Sequence, residues 1–170
     1  MTMSAVEAFN ALPADRLAAD LRACCAAPAW GAAVAARRPY PDVAAVLSAG
    51  DAASAALNWD DVRTAMSAHP RIGERPGGAG AEAAWSRREQ EAARTGDEAL
   101  TTALVRANWA YEERFGHVFL IFATGKGPEE ILGEARRRLG NDEQTERAEV
   151  AEELRKIARL RLERLLDALG

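Results

Sequence analysis

Excess positive charge, long apolar runs and aromatic rings are all scarce in this sequence. Its 22 Lys and Arg are outnumbered by 26 Asp and Glu, for a net charge of −4. That balance offers no electrostatic case for nucleic acid or an anionic membrane surface, so neither is expected as a partner. The arginines alternate with acids along the chain, the pattern of solvated helix faces. No apolar stretch approaches the roughly 20 residues of a membrane span. The opening residues, MTMSAVEAFNALPADR, have no basic region followed by an apolar one and do not read as a signal peptide. The closing LLDALG carries no peroxisomal or endoplasmic-reticulum address. The only cysteines, Cys24 and Cys25, are adjacent. Neighbours on a helix point in different directions, so they read as small apolar residues of a reducing compartment. The cytoplasm is the expected location.

β-Branched residues are few and no segment alternates cleanly over a strand length, while Ala, Leu, Arg and Glu abound. A short lead-in to Asn10, anchored by Val6 and Phe9, precedes a helix opened by Pro13 and running to about Cys25, with Leu17 and Leu21 inward. Pro28 opens another through Trp30 and Val34, ended by Arg38-Pro39. Asp42 caps a helix through Val46 and Leu47, followed by a helical run from Ser54 to Leu57. Asp60 and Asp61 start a helix that carries Val62 and Met66 on one face and ends at His69-Pro70. Residues 71–80 hold four glycines and Pro76 and read as a loop. Helices follow from about Ala81 to Arg94, from Asp97 to Phe115, from Pro128 to Leu139, and from Asp142 to Leu169. Between Phe115 and Pro128 lies the only extended-looking stretch, in which Val118–Phe122 reads as buried. With no repeat and no low-complexity linker, the sequence predicts an all-α fold, a single-domain helical bundle over 1–170.

Three places could carry chemistry. His69 sits before a stiffening Pro70 and a glycine-rich loop, and an imidazole titrating near neutral pH suits proton transfer. On the next helix Ser86, Glu89 and Gln90 fall at i, i+3 and i+4, on one face. The surrounding SRREQEAAR is charged all round, which favours an exposed polar face, with Trp85 and Ala92 or Ala93 supplying the buried contacts. In the last helix Val150, Leu154, Ile157 and Leu165 trace an apolar stripe on which Arg161 also lies. A charge there is costly unless paired, so Arg161 reads as the partner of a buried acid, as the holder of a ligand carboxylate, or as a snorkelling rim residue. His69, His117 and Glu89 have no recognised metal-ligand spacing, and Gly125-Lys126-Gly127 is not a phosphate loop. No metal is expected.

The words AHPRIGE (Ala68 to Glu74), WSRREQ (Trp85 to Gln90), YEERFGHVFLIFATGKGPEEIL (Tyr111 to Leu132), RRRLGND (Arg136 to Asp142) and EELRKIARLRLERL (Glu152 to Leu165) occur in that order. Together with Phe9-Asn10, the cysteine pair and the Trp30 region, they resemble the 2-oxo-4-hydroxy-4-carboxy-5-ureidoimidazoline (OHCU) decarboxylases of uric acid breakdown, over nearly the whole chain. The resemblance implies a cofactor-independent carboxy-lyase that forms (S)-allantoin, with an all-α fold, no metal or organic cofactor, and a homodimer. By position it implies that His69 is catalytic with Glu89, and that Pro70, Ser86, Gln90, Ile121 (through its backbone) and Arg161 bind the anionic ureidoimidazoline. Arg159 is the neighbouring candidate for the arginine. Other readings of the same residues are a cofactor-free lyase or hydrolase acting on another ureide, and a non-catalytic helical interaction module.

Overall fold

Some helices begin where a side chain accepts from their first free N–H groups, whereas two others open on a proline. The computed structural model describes residues 2–71, 81–91 and 95–170, with the backbone alone at 81, 82 and 90. Nine helices and no strand occur among them, as an all-α reading requires. None is long and apolar enough to cross a membrane.

The stretch read as a lead-in is helix α1 (Ala5–Ala11), closed by a capping box in which the Glu7 N–H donates to Ser4 Oγ and the Ser4 N–H to Glu7 Oε2. Helices α2 (Ala14–Cys24) and α3 (Pro28–Ala36) follow, then α4 (Val43–Ala55), capped by Asp42, whose carboxylate accepts from the Ala45 N–H at 2.8 Å. The helical run expected from Ser54 is the end of α4. Helix α5 (Trp59–Met66) is started by Asn58, whose Oδ1 accepts from the Asp61 N–H, two residues before the first of the two aspartates expected to begin it. After α6 (Ala81–Gln90), Asp97 caps α7 (Glu98–Phe115), and Gly116 ends it in the left-handed conformation (φ 78°) that favours glycine. Helix α8 (Pro128–Leu139) opens on its proline, and Asp142 caps α9 (Glu143–Leu169) by accepting from the Thr145 N–H.

The chain forms two compact units. One comprises Met1–Ala65 and Leu154–Gly170. Within it α3 packs on α2 and α4. The buried Trp30 indole N–H donates to the Gly50 carbonyl and to Ser54 Oγ, both 3.1 Å away. Of the α9 stripe, Leu154, Ile157, Arg161 and Leu165 belong to this unit, and all are buried.

The other unit comprises Met66–Glu153. Its core joins Leu104 and Tyr111 of α7, Ile131, Leu132 and Ala135 of α8, and Phe119, Ile121 and Ala123 of the segment between them. That segment is buried as expected and forms no regular secondary structure.

Candidate functional site

His69 stands where α5 gives out. Its N–H donates to the Met66 carbonyl at 2.9 Å, so the backbone makes one closing turn before Pro70 stops the helix. The imidazole is half-buried. Two residues on, Arg71 pairs with Glu112 of α7 at 2.5 Å, a contact within the Met66–Glu153 unit. The glycine-rich loop expected next lies outside the described residues.

On α6 the polar residues are the buried ones. Ser86 is 3% exposed and Glu89 8%, while Trp85 and Arg87 are half-buried and Arg88 is exposed. An exposed polar face, the reading favoured by the charged surroundings, therefore does not hold for Ser86 and Glu89. Burying a hydroxyl and a carboxylate costs free energy unless both are bonded, and both have interaction partners. The Gln90 side chain and the proposed apolar contacts at Ala92 and Ala93 lie outside the described residues.

Ile121 is buried, and its backbone neighbours are anchored on both sides. The Leu120 carbonyl accepts from Arg138 Nη1 at 2.7 Å, and the Phe122 N–H donates to Glu153 Oε1 at 3.2 Å. Among the described residues, no hydrogen bond is made to the N–H or carbonyl of Ile121 itself. His117 is half-buried, donates through Nδ1 to the Val118 carbonyl, and packs edge-on against Tyr111. Among the described residues, no group of three His, Cys, Asp or Glu could hold a metal ion.

His69, Ser86, Glu89 and Ile121 thus belong to the Met66–Glu153 unit, whereas Arg161 belongs to the other. Arg161 is 1% exposed and donates through Nη1 to the Ala23 carbonyl at 3.1 Å. Arg159 is instead 38% exposed and pairs with Asp51 and Glu163. Of the two neighbours, the buried one is the one on the apolar stripe. Close to Arg161, burial pushes the Cys25 thiol up to about 11, so it stays protonated and is a poor nucleophile.

Sequence reasoning missed one arrangement. Arg138 Nε donates to both carboxylate oxygens of Glu146, at 2.7 and 3.0 Å, and Tyr111 donates its hydroxyl to Glu146 at 2.9 Å. All three residues are buried. Burial, ahead of the neighbouring charges, pushes the Tyr111 phenol far up, so it stays a donor. Burial alone would lower the Arg138 pKa, but the Glu146 carboxylate outweighs it and the guanidinium stays charged. The signal was available: Ile131, Ala135 and Arg138 share a stripe on α8, just as Arg161 shares one on α9.

The family model of OHCU decarboxylase matches residues 10–163. A curated protein of Amia calva named 2-oxo-4-hydroxy-4-carboxy-5-ureidoimidazoline decarboxylase is 39% identical over 101 residues, which are 58% of each chain. A uric acid degradation bifunctional protein of Bacillus sp. (strain TB-90) is 37% identical over 62 residues, 36% of this chain and 12% of that one. The chain therefore spans less than two thirds of either curated relative. A crystal structure of OHCU decarboxylase in the presence of (S)-allantoin superposes with a TM-score of 0.72 at 27% identity, covering 87% of this chain and 97% of the other. A crystal structure of (S)-allantoin synthase shares the fold, with a TM-score of 0.72 at 15% identity over 96% of this chain and 54% of that one.

Proposed function

The chain belongs to the OHCU decarboxylase family, and from that premise we propose that it converts 2-oxo-4-hydroxy-4-carboxy-5-ureidoimidazoline to (S)-allantoin during uric acid degradation. The observation that carries this reading is the burial of Ser86 and Glu89 on α6, in the same compact unit as His69 and Ile121. A hydroxyl and a carboxylate withdrawn from water on one helix face, beside charged residues that could have taken their place, suit a binding wall better than a surface.

The chemistry asks little of the protein beyond placement. The substrate carries a carboxylate and a hydroxyl on C4, next to a C5=N imine. When the C4–carboxylate bond breaks, its electron pair flows into the imine and carbon dioxide departs. The substrate contains its own electron sink, the task that an added cofactor performs elsewhere. What remains is to hold the carboxylate out of the ring plane, stabilise the enol-like intermediate and deliver a proton to one face of C5. His69 acts as general acid and base on the C4 hydroxyl, and Glu89 orients or shares that proton. Ser86, Gln90 and the Ile121 backbone bond the ureido and ring amides, Pro70 shapes the wall beside His69, and Arg161 pairs with the substrate's negative charge. In this reading residues 1–170 act as one catalytic domain, working as a cytoplasmic homodimer without a cofactor.

The test generates the unstable substrate in place from urate with the two upstream enzymes and follows optical rotation. Dextrorotatory allantoin should appear faster than the racemic background. His69→Gln should lower that rate by about 10²–10⁴-fold, the usual contribution of a positioned acid–base group, with helix content unchanged. A wild-type chain that leaves the background rate unaltered would end the decarboxylase reading and favour another ureide or a non-catalytic role.

A further inference from the structure

We propose that Arg138, with Glu146 and Tyr111, is a positioning residue for the reaction, fixing the backbone at Ile121 against which the substrate binds. This rests on the decarboxylase reading for its substrate, but its geometry stands apart from it. The segment from His117 to Ala123 has no helix or strand to satisfy its backbone, and side chains meet the carbonyls of Val118 and Leu120 and the N–H of Phe122. Arg138 reaches it through two arms. Nη1 takes the Leu120 carbonyl at 2.7 Å, while Nε is held by both oxygens of Glu146. The guanidinium carbon also lies 4.6 Å from the centre of the Phe119 ring, so two successive residues, Phe119 and Leu120, are referenced to one fork just before Ile121. Tyr111 fixes Glu146 in turn. On the far side Glu153 holds the Phe122 N–H. Ile121 lies between the two anchors, its own polar backbone groups not taken by any described residue.

Stability alone is a weak reason for such a pair. Arg138 is 1% exposed and Glu146 0%, and removing two charges from water consumes most of what their attraction returns. Apolar residues of similar size hold a core as well or better. What they cannot do is orient a carbonyl. A fork that does so matters when the neighbouring amide must meet a substrate to within a fraction of an ångström.

That difference supplies the experiment. The triple variant Tyr111→Phe/Arg138→Met/Glu146→Leu replaces the whole polar group by apolar side chains, and should stay folded, with a melting temperature lowered only by the cost of the Leu120 carbonyl left without its donor. Its kcat/KM for in-place substrate should nevertheless fall by about 100-fold, the scale of a displacement of roughly 1 Å at a reacting centre. A second variant, Arg138→Lys, keeps the charge against Glu146 but has one point of donation instead of a fork. It should stay folded and lose about 10-fold in kcat/KM. Amide hydrogen exchange at 118–123 should quicken by about 10-fold or more in the triple variant, while exchange in α7 and α8 stays unchanged. Folded variants with wild-type turnover, or with unchanged exchange at 118–123, would overturn the proposal. A wild-type chain without decarboxylase activity would defeat the functional reading alone, since exchange at 118–123 still decides whether Arg138 fixes that backbone.

Discussion

Arg159 and Arg161 are two positions apart on α9, yet their surroundings differ in kind. Arg159 reaches Asp51 at 2.5 Å and Glu163 at 3.4 Å with more than a third of its side chain exposed. Such pairs are worth about 0.2–1 kcal/mol. Arg161 is buried and donates to a backbone carbonyl, and under the proposed function it is the arginine that meets the substrate's charge. Arg161→Lys is therefore expected to raise KM for the in-place substrate by about 10-fold or more, because an ammonium cannot replace a bidentate fork. Arg159→Ala is expected to leave KM within about 2-fold, as befits a screened surface pair. Steady-state kinetics of both variants would expose a wrong assignment, since the reverse pattern makes Arg159 the substrate arginine. The apolar stripe alone pointed to Arg161 from the sequence. What the pattern could not reveal was whether a protein acid or a backbone carbonyl would meet it.

At the level of elements, glycines inside helices separate propensity from packing. Gly133 lies on the exposed side of α8, where an added Cβ meets nothing within 4 Å. Gly133→Ala should stabilise by about 0.8–1 kcal/mol, the difference in helix propensity, and raise Tm by about 2–4 °C. Gly50 on α4 is different. A Cβ there would sit 2.9 Å from Leu162 Cδ2 and 3.5 Å from Trp30 Cζ2, against the carbonyl-to-indole bond that joins α3 to α4. Overpacking of this kind costs about 1–3 kcal/mol and should outweigh the propensity gain, so Gly50→Ala should lower Tm. Thermal melts of the two variants should move in opposite directions, and a Gly50→Ala protein as stable as wild type would show that Leu162 simply gives way. Helix positions were legible in the sequence because caps and prolines are local signals: Asp42, Asp97, Asp142, Pro28 and Pro128 all act where expected. The choice of Asn58 over Asp60 for α5 was not, since Asn and Asp are equally good N-caps and the residues that follow both are helical in pattern. Nor was the burial of Ser86 and Glu89, because the charge pattern of α6 has no preferred face until something packs on it.

Among the described residues, the molecule's response to acid follows from carboxylates held by Arg137 and by helix caps, Glu7 and Asp142 among the latter. Hydrogen bonds from Arg137 hold both Glu134 and Glu149 below the ordinary carboxylate range. Asp142 is lowered by its cap bond to the Thr145 N–H. Because these folded values lie below the unfolded ones, the unfolded chain binds more protons in the window between them. Their contribution is complete above the unfolded range near 4.5 and is lost as pH falls through the depressed values. Tm should therefore stay level from pH 7 to about 5 and drop below it. Arg137→Gln should flatten that acid limb, and an unchanged limb would place its origin elsewhere. The ordered words, the helical composition and the lack of any basic excess sufficed to establish the fold class and the family resemblance, because both depend on local pattern and on residue order. Tertiary structure alone decided that Ser86 and Glu89 leave water and which groups Arg138 and Arg161 meet. Ser86 and Glu89 are polar like exposed Arg88 beside them, and a helix with charge all round has no preferred inner face until the rest of the chain packs on it.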